Sequence, residues 1–268
     1  MPPSPPRLSA FQAVVLAGGL ATRMLPRTER VPKLLLEVAG RPFAERLLAR
    51  LAASGATEVI LCIGHLGDLI REALGDGTRF GLSLFYSDEG DARLGTAGAL
   101  RLALPHLAPV FLVTYGDSFL PFDYASPVRD LSAHPEALGT MAVYRNSDRH
   151  DTSNTEVSEN LVVRYEKRAA GAPHDPRMDH IDYGATALRR EVVSPLPEHT
   201  PLDLSDLQSR LSREGKLRAL TAPHRFYEIG SESGLRDLDR HLREGRVPLV
   251  DGDPLPPARA PAPGGDPE

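Results

Sequence analysis

The chain has 268 residues, 41% of them hydrophobic, with a single cysteine, no tryptophan and a formal net charge of −5. That length and apolar content suit one large domain, while the acidic balance without any basic block excludes a nucleic-acid backbone or an anionic membrane as the expected partner. One cysteine excludes a disulfide framework and a cysteine-based zinc site, and no apolar run reaches the roughly 18 residues that span a bilayer.

In chain order, residues 1–9 are proline-rich, lack the apolar stretch of a secretory signal and are expected to be disordered, as is the tail 251–268. The folded region is then 10–250. Phe11–Ala17 reads as a buried parallel strand that opens into Gly18-Gly19, a turn whose backbone can approach a ligand without a Cβ in the way. Thr22 and Arg23 supply donors just beyond it, and Lys33 returns after Pro32 has held the preceding residue extended. Two cations and a bare turn within one short segment point to phosphate.

Pro42–Ser54 places Phe43, Leu47, Leu48 and Leu51 on one helical face, with proline in the first turn and Gly55 at the end. A strand over Glu58–Ile63, a helix over His65–Leu74 and a strand over Leu82–Ser87 follow, with Cys62 as a small buried hydrophobe. Leu94–Leu107 then reads as a helix that opens on Gly95, Thr96 and Gly98, with N–H groups and a small-residue floor free for a planar base. Val110–Tyr115 is a strand running into Gly116-Asp117; a carboxylate just past a buried strand is a ligand for a hard cation such as Mg²⁺.

The second half predicts a strand at Ala137–Arg145, a hairpin over Asn154–Glu166 ending in Tyr165-Glu166-Lys167, and a loop at Pro173–Arg177. A strand at His180–Leu188, a helix over Asp203–Leu211, a strand at Lys216–Leu220, the segment Arg225–Gly230 and a helix over Ser231–Leu242 complete it. Such alternation implies an α/β, Rossmann-like three-layer domain with a mostly parallel mixed sheet, whose ligands bind at the strand C-terminal edge. The nine histidines form no HExxH or HxH pattern, and no Ser-His-Asp elbow appears.

LAGGLATRMLP followed by VPKLLLEVAGRPF is similar to the signature of sugar-1-phosphate nucleotidyltransferases, LAGGxGTRLxP then PKPLxPVxGxPx. The likeness extends over roughly residues 11–243 and implies a GT-A-like architecture, with a nucleotide-binding part over about 10–125 and a sugar-binding part over about 126–250. It implies transfer of a nucleoside monophosphate from a triphosphate to a sugar 1-phosphate, with Arg23 and Lys33 as catalytic residues. Leu16, Ala17, Gly18, Gly19, Gly95, Thr96 and Gly98 would hold the nucleotide. Gly116, Glu166, Lys167 and Gly184 would meet the sugar, and Asp117 with Glu228 would hold Mg²⁺. The implied partners are these two small molecules, with no nucleic acid and no membrane, in a soluble cytoplasmic protein; a homo-oligomer is left open.

Three positions depart from the pattern. Ala21 stands where glycine is usual, and a left-handed backbone there would strain it. Asp182 replaces Asn in the strand resembling INAGxYxL, exchanging an amide for a pure acceptor. Glu228 replaces Asp in the segment resembling WxDIGTP and is one methylene longer. These departures frame an alternative, a weakly active or inactive relative that senses nucleotide sugars. A molybdopterin-type nucleotidyltransferase also begins LAGGxSxRM, but there the lysine follows the arginine after a few residues, whereas Arg23 and Lys33 are ten apart.

Overall fold

The structure, a computed structural model, describes residues 10–168 and 173–247, so the expectations for 1–9 and 251–268 fall outside the described residues. Nine strands form one sheet: β1 (Phe11–Leu16), β2 (Ala56–Ile63), β3 (Ser83–Asp88), β4 (Val110–Tyr115), β5 (Gly139–Arg145), β6 (Thr155–Ser158), β7 (Leu161–Tyr165), β8 (His180–Arg189) and β9 (Leu217–Thr221). Their spatial order is β3-β2-β1-β4-β8-β5-β9-β7-β6. The first four are parallel. β8 runs antiparallel between β4 and β5 and makes the sheet mixed.

Alternation along the strands builds both layers. In β1, Ala13 and Val15 face one apolar layer, Val14 and Leu16 the other. β1, apolar at every position but Gln12, is therefore buried on both faces, as parallel sheets covered by helices require. Helices α1 (Phe43–Ala53), α2 (Gly67–Leu74), α3 (Gly95–Ala103), α4 (Ala125–Ala133), α5 (Leu204–Arg213) and α6 (Glu232–Arg243) supply the covers. α1, α2, α4 and α6 contribute to the first layer, α3 and α5 to the second. Among the described residues no helix is long and apolar enough to cross a membrane.

Most expected elements lie within two residues of their observed bounds, and α4 is an addition. Its start is a side-chain cap: Asp123 accepts from the Ala125 N–H and the Ser126 hydroxyl, and such carboxylate capping initiates a helix without an apolar-periodic lead-in. α1 carries two fully buried arginines that fix the loops ahead of the strand edge. Arg46 donates to the Val38 and Ala39 carbonyls. Arg50 donates to the Leu120 carbonyl at 3.1 Å, its guanidinium 4.8 Å from the Phe119 ring centroid.

α4 is tied to the sheet by a bidentate pair, Arg218 Nε and Nη2 donating to Asp130 Oδ2 and Oδ1 at 2.8 and 3.1 Å, with the Thr140 hydroxyl on Oδ2. Burial alone would raise the Asp130 carboxyl; the Arg218 and Thr140 hydrogen bonds more than offset it and hold it below 3.8. A carboxyl depressed in the folded state stabilises fully above its unfolded value and loses that contribution as pH falls through the folded one. Asp130→Asn is thus expected to cost about 1.5–3 kcal/mol at pH 7, read from urea midpoints. The gap between wild type and variant narrows only below about pH 4, since the window lies beneath the unfolded carboxylate value.

Candidate active site

Parallel strands β1 to β4 bring their C-terminal ends to one edge, where a cleft of about 500 Å³ opens. Leu16, Ala17, Gly18 and Gly19 line it along the β1 turn, Gly95 and Thr96 at the start of α3, and Lys33, Gly116 and Asp117 beyond. A Cβ at Gly19 would meet no protein atom within 4 Å, so the bare face of this turn opens to the cleft. Gly116 is glycine for the opposite reason: a Cβ there would come within 3.1 Å of Ala17 Cβ and Leu16 O. Its N–H donates to the Leu16 carbonyl at 2.9 Å, which sets Asp117 against the turn.

A two-residue ladder brings the second carboxylate in. Ser118–Phe119 pairs antiparallel with Tyr227–Glu228, Glu228 opposite Ser118, and the Ile229 N–H donates to the Asp117 carbonyl. Lys33 Nζ lies 2.9 Å from Asp117 Oδ2, both side chains mostly covered. Arg23 lies near the same carboxylate, outside the residues that line the cleft: a Cβ built on Gly230 would sit 3.4 Å from Arg23 Nη2 and 3.6 Å from Asp117 Oδ2. Four residues from three distant segments thus surround one point. Glu228 is exposed, yet the protein around it desolvates its carboxyl and raises it to about 7, Asp117 and Asp151 adding and Arg23 and Lys33 opposing. Cleft water screens these charges, so the upward direction is what bears on chemistry. Two crowded carboxylates of hard oxygen are a donor set that a divalent cation relieves. Among the described residues no group of three His, Cys, Asp or Glu could hold a metal alone, so a cation held by Asp117 and Glu228 would need further oxygen ligands.

The remaining expected residues separate into those at the cleft and those away from it. Gly98 does not face it. A Cβ there would meet Thr200 O at 2.9 Å and Leu94 Cβ at 2.8 Å, and the Ala97 and Gly98 N–H groups both donate to Leu202 O. The helix start read as a free floor is instead covered by the chain at 200–202. Gly95, at φ +71°, has Leu202 O 2.6 Å from its missing Cβ, and Thr96 Oγ1 accepts from Leu204 N–H. Glu166 turns away to Arg164 Nε at 2.6 Å. Lys167 reaches the cleft only through Asp203, which lines it. Gly184, at φ +96°, forms a bulge in β8 beside Ser118 and Tyr115.

Asp182 anchors that bulge. Its Oδ1 accepts from Gly184 N–H, and its Oδ2 from Tyr165 OH and Gln208 Nε2. Burial raises its carboxyl against these donors. The exchange of Asn for Asp thus serves the strand rather than the cleft wall.

Ala21 has φ +50° and ψ +37°, held by Thr28 Oγ1 on its carbonyl. The left-handed backbone costs a Cβ-bearing residue about 1–2 kcal/mol. Part of that is regained as a stiffer unfolded chain, so Ala21→Gly is expected to stabilise by about 0.5–1 kcal/mol, seen as a higher urea midpoint.

Sequence reasoning passed over Glu89, Arg93, Tyr115 and Asp203, all on the cleft wall. Glu89 and Tyr115 follow or end strands at the edge where ligands were expected, and that position was the available signal. Burial raises the Tyr115 hydroxyl, with Asp182, Asp117, Asp203 and Glu228 adding. Burial likewise raises Glu89, the Leu94 N–H opposing and Asp88 adding. Cys62, also on the wall, is buried, and its thiol is pushed up to about 12, first by burial and then by Glu89. It is a packing residue, as expected.

Residues 12–154, a little over half of the chain, match the family model described as nucleotidyl transferase. The chain is 40% identical over 129 residues to an N-acetylmuramate alpha-1-phosphate uridylyltransferase from Neisseria meningitidis, covering 48% of this chain and 56% of that protein. It is 32% identical over 189 residues to a mannose-1-phosphate guanylyltransferase from Mycobacterium tuberculosis, covering 69% of this chain and 51% of that protein. The chain spans about half the length of these curated relatives. A UDP-glucose pyrophosphorylase structure from Acinetobacter baumannii superposes with a TM-score of 0.70 at 15% identity, covering 89% of this chain and 96% of that one, a likeness of fold.

Proposed function

This chain belongs to the nucleotidyl transferase family, and from that premise we propose that it transfers a nucleoside monophosphate from a triphosphate to a sugar 1-phosphate, releasing pyrophosphate. The observation that carries the reading is the meeting of Arg23, Lys33, Asp117 and Glu228 near the turn whose Gly19 is bare. The named relatives act on sugar 1-phosphates but differ in base, uridylyl in one and guanylyl in the other.

A phosphate oxygen of the sugar 1-phosphate attacks the α-phosphorus in line; that P–O bond forms as the bond to the β-phosphate bridge breaks, and the electron pair leaves on pyrophosphate. The attacking group is already an anion at neutral pH, so no side chain must take a proton. Catalysis then rests on positioning and on charge. Lys33 lies between the two anions and offsets their repulsion. The planar fork of Arg23 suits the β- and γ-phosphates and the departing charge. Asp117 and Glu228 would hold Mg²⁺, which supplies Lewis-acid neutralisation at the phosphate oxygens when bound. Substrates this highly charged do not cross a bilayer unaided, which accords with a cytoplasmic location.

Pyrophosphate release is the test, run with Mg²⁺, each of ATP, CTP, GTP, UTP and dTTP, and a panel of sugar 1-phosphates. Release that requires one nucleotide together with one sugar, and that Asp117→Asn abolishes, is the expected result. Absence of release from every pair would overturn the reading.

A further inference from the structure

One oxygen at the centre of the site already has a cation. Lys33 Nζ donates to Asp117 Oδ2 at 2.9 Å, and the two side chains are only 20% and 28% exposed, so water and salt screen this pair less than a surface ion pair. Neither partner sits on a loose support. The Asp117 carbonyl accepts from the Ile229 N–H at 2.9 Å, and Gly116 just before it donates to the Leu16 carbonyl. Lys33 opens a 3-10 turn anchored by the buried Leu34. Glu228, opposite Ser118 on the short ladder, feels both charges: burial raises its carboxyl, Asp117 adds and Lys33 opposes.

A divalent cation held by Asp117 and Glu228 would bring two positive charges to the place where one already sits. Mg²⁺ binds its oxygen ligands at about 2.0–2.1 Å, and like charges that close repel strongly in a partly covered site. An ammonium group has three donors and no lone pair to offer a metal, so nothing offsets that repulsion. Resting on the nucleotidyl transfer proposed above, we propose that Lys33 and the divalent cation compete for Asp117, the lysine serving as the built-in counter-ion that a metal must displace. A triphosphate supplies an anion that draws the lysine away, and oxygens that complete the coordination. Metal and triphosphate therefore reinforce each other's binding. The long, flexible stem of Lys33 can make that swing while its turn stays packed on Leu34. One side chain thus opposes metal binding and favours transfer.

Mn²⁺, whose free aqua ion is counted directly by electron paramagnetic resonance, is the probe. It is titrated into the full chain without nucleotide at about pH 8, where Glu228, raised to about 7, is ionised. Lys33→Met keeps the stem and removes the charge; it is expected to bind Mn²⁺ about tenfold more tightly than wild type. Lys33→Gln, a second neutral variant, is expected to gain likewise, and Lys33→Arg, which keeps the charge, to bind as wild type does. Adding Asp117→Asn to Lys33→Met is expected to erase the gain, with melting curves as the fold control. Equal affinity in wild type and both neutral variants, or binding by none of them, overturns the competition and leaves the transferase reading to pyrophosphate release, which requires no metal bound ahead of nucleotide. A gain that survives Asp117→Asn overturns both the competition and the assignment of Asp117 to the metal.

Discussion

Asp117→Asn lowers pyrophosphate release by about 10³-fold or more, the largest effect expected at this site. The substitution keeps the size and one oxygen but removes a full charge from the point where Lys33, Arg23 and Glu228 meet. Lewis-acid stabilisation is worth several kcal/mol, and each 1.36 kcal/mol is a factor of ten. The fold should not share the loss. Asp117 joins the short ladder through its backbone carbonyl, which accepts from Ile229 N–H whatever the side chain. The rate is to be measured against Mg²⁺ concentration, with far-ultraviolet circular dichroism as the fold control. A variant that melts normally and turns over at the wild-type rate would remove Asp117 from the chemistry.

Lys33→Ala comes second, at about 10²- to 10³-fold in kcat, or roughly 2.7–4 kcal/mol by analogy with the loss of one oxyanion donor. Lys33 opens a single 3-10 turn over Lys33–Leu35 whose packing is carried by Leu34, so truncation beyond Cβ leaves the core untouched. Its charge opposes the upward shift of Glu228, so its removal also lets that carboxyl hold its proton more tightly. The two substitutions touch one ion pair, and their effects should not multiply. A double variant whose loss is well below the product of the single losses would show the coupling expected of direct contact. Full multiplicativity would place the two residues in separate roles.

The strand edge was legible in the sequence because its signals are local and dense. A six-residue strand apolar at every position but Gln12, a paired glycine turn and a carboxylate just past a second buried strand are each compact in sequence. The meeting of Asp117 with Glu228 is less so, since it depends on strands two residues long, and two residues carry no period. Only the likeness of the Arg225–Gly230 segment to a known motif drew Glu228 toward the metal. Gly98 illustrates an ambiguity of small residues: a glycine required by a ligand and a glycine required by a crossing backbone read alike, and here the crossing backbone at Thr200 is responsible. α4 escaped notice because it starts from the Asp123 carboxylate without an apolar-periodic lead-in and carries proline at its third position. Glu89 stood at the expected edge with nothing beside it to single it out; its environment is made by glycines 18 and 64, far away in sequence.

The chain at 200–204 grips the start of α3 at both ends. Leu202 accepts from Ala97 and Gly98 and donates to Leu94, while Leu204 donates to the hydroxyl of Thr96. The two halves of the polypeptide are therefore stitched together at the very helix that borders the cleft. Modular exchange is constrained accordingly. A chimera that takes its C-terminal half from a relative must import a segment able to satisfy Leu94, Thr96, Ala97 and Gly98 of the recipient, or the start of α3 is left without these partners. Conversely, the same grip ties any shift of the chain at 200–204 directly to the helix on the cleft wall.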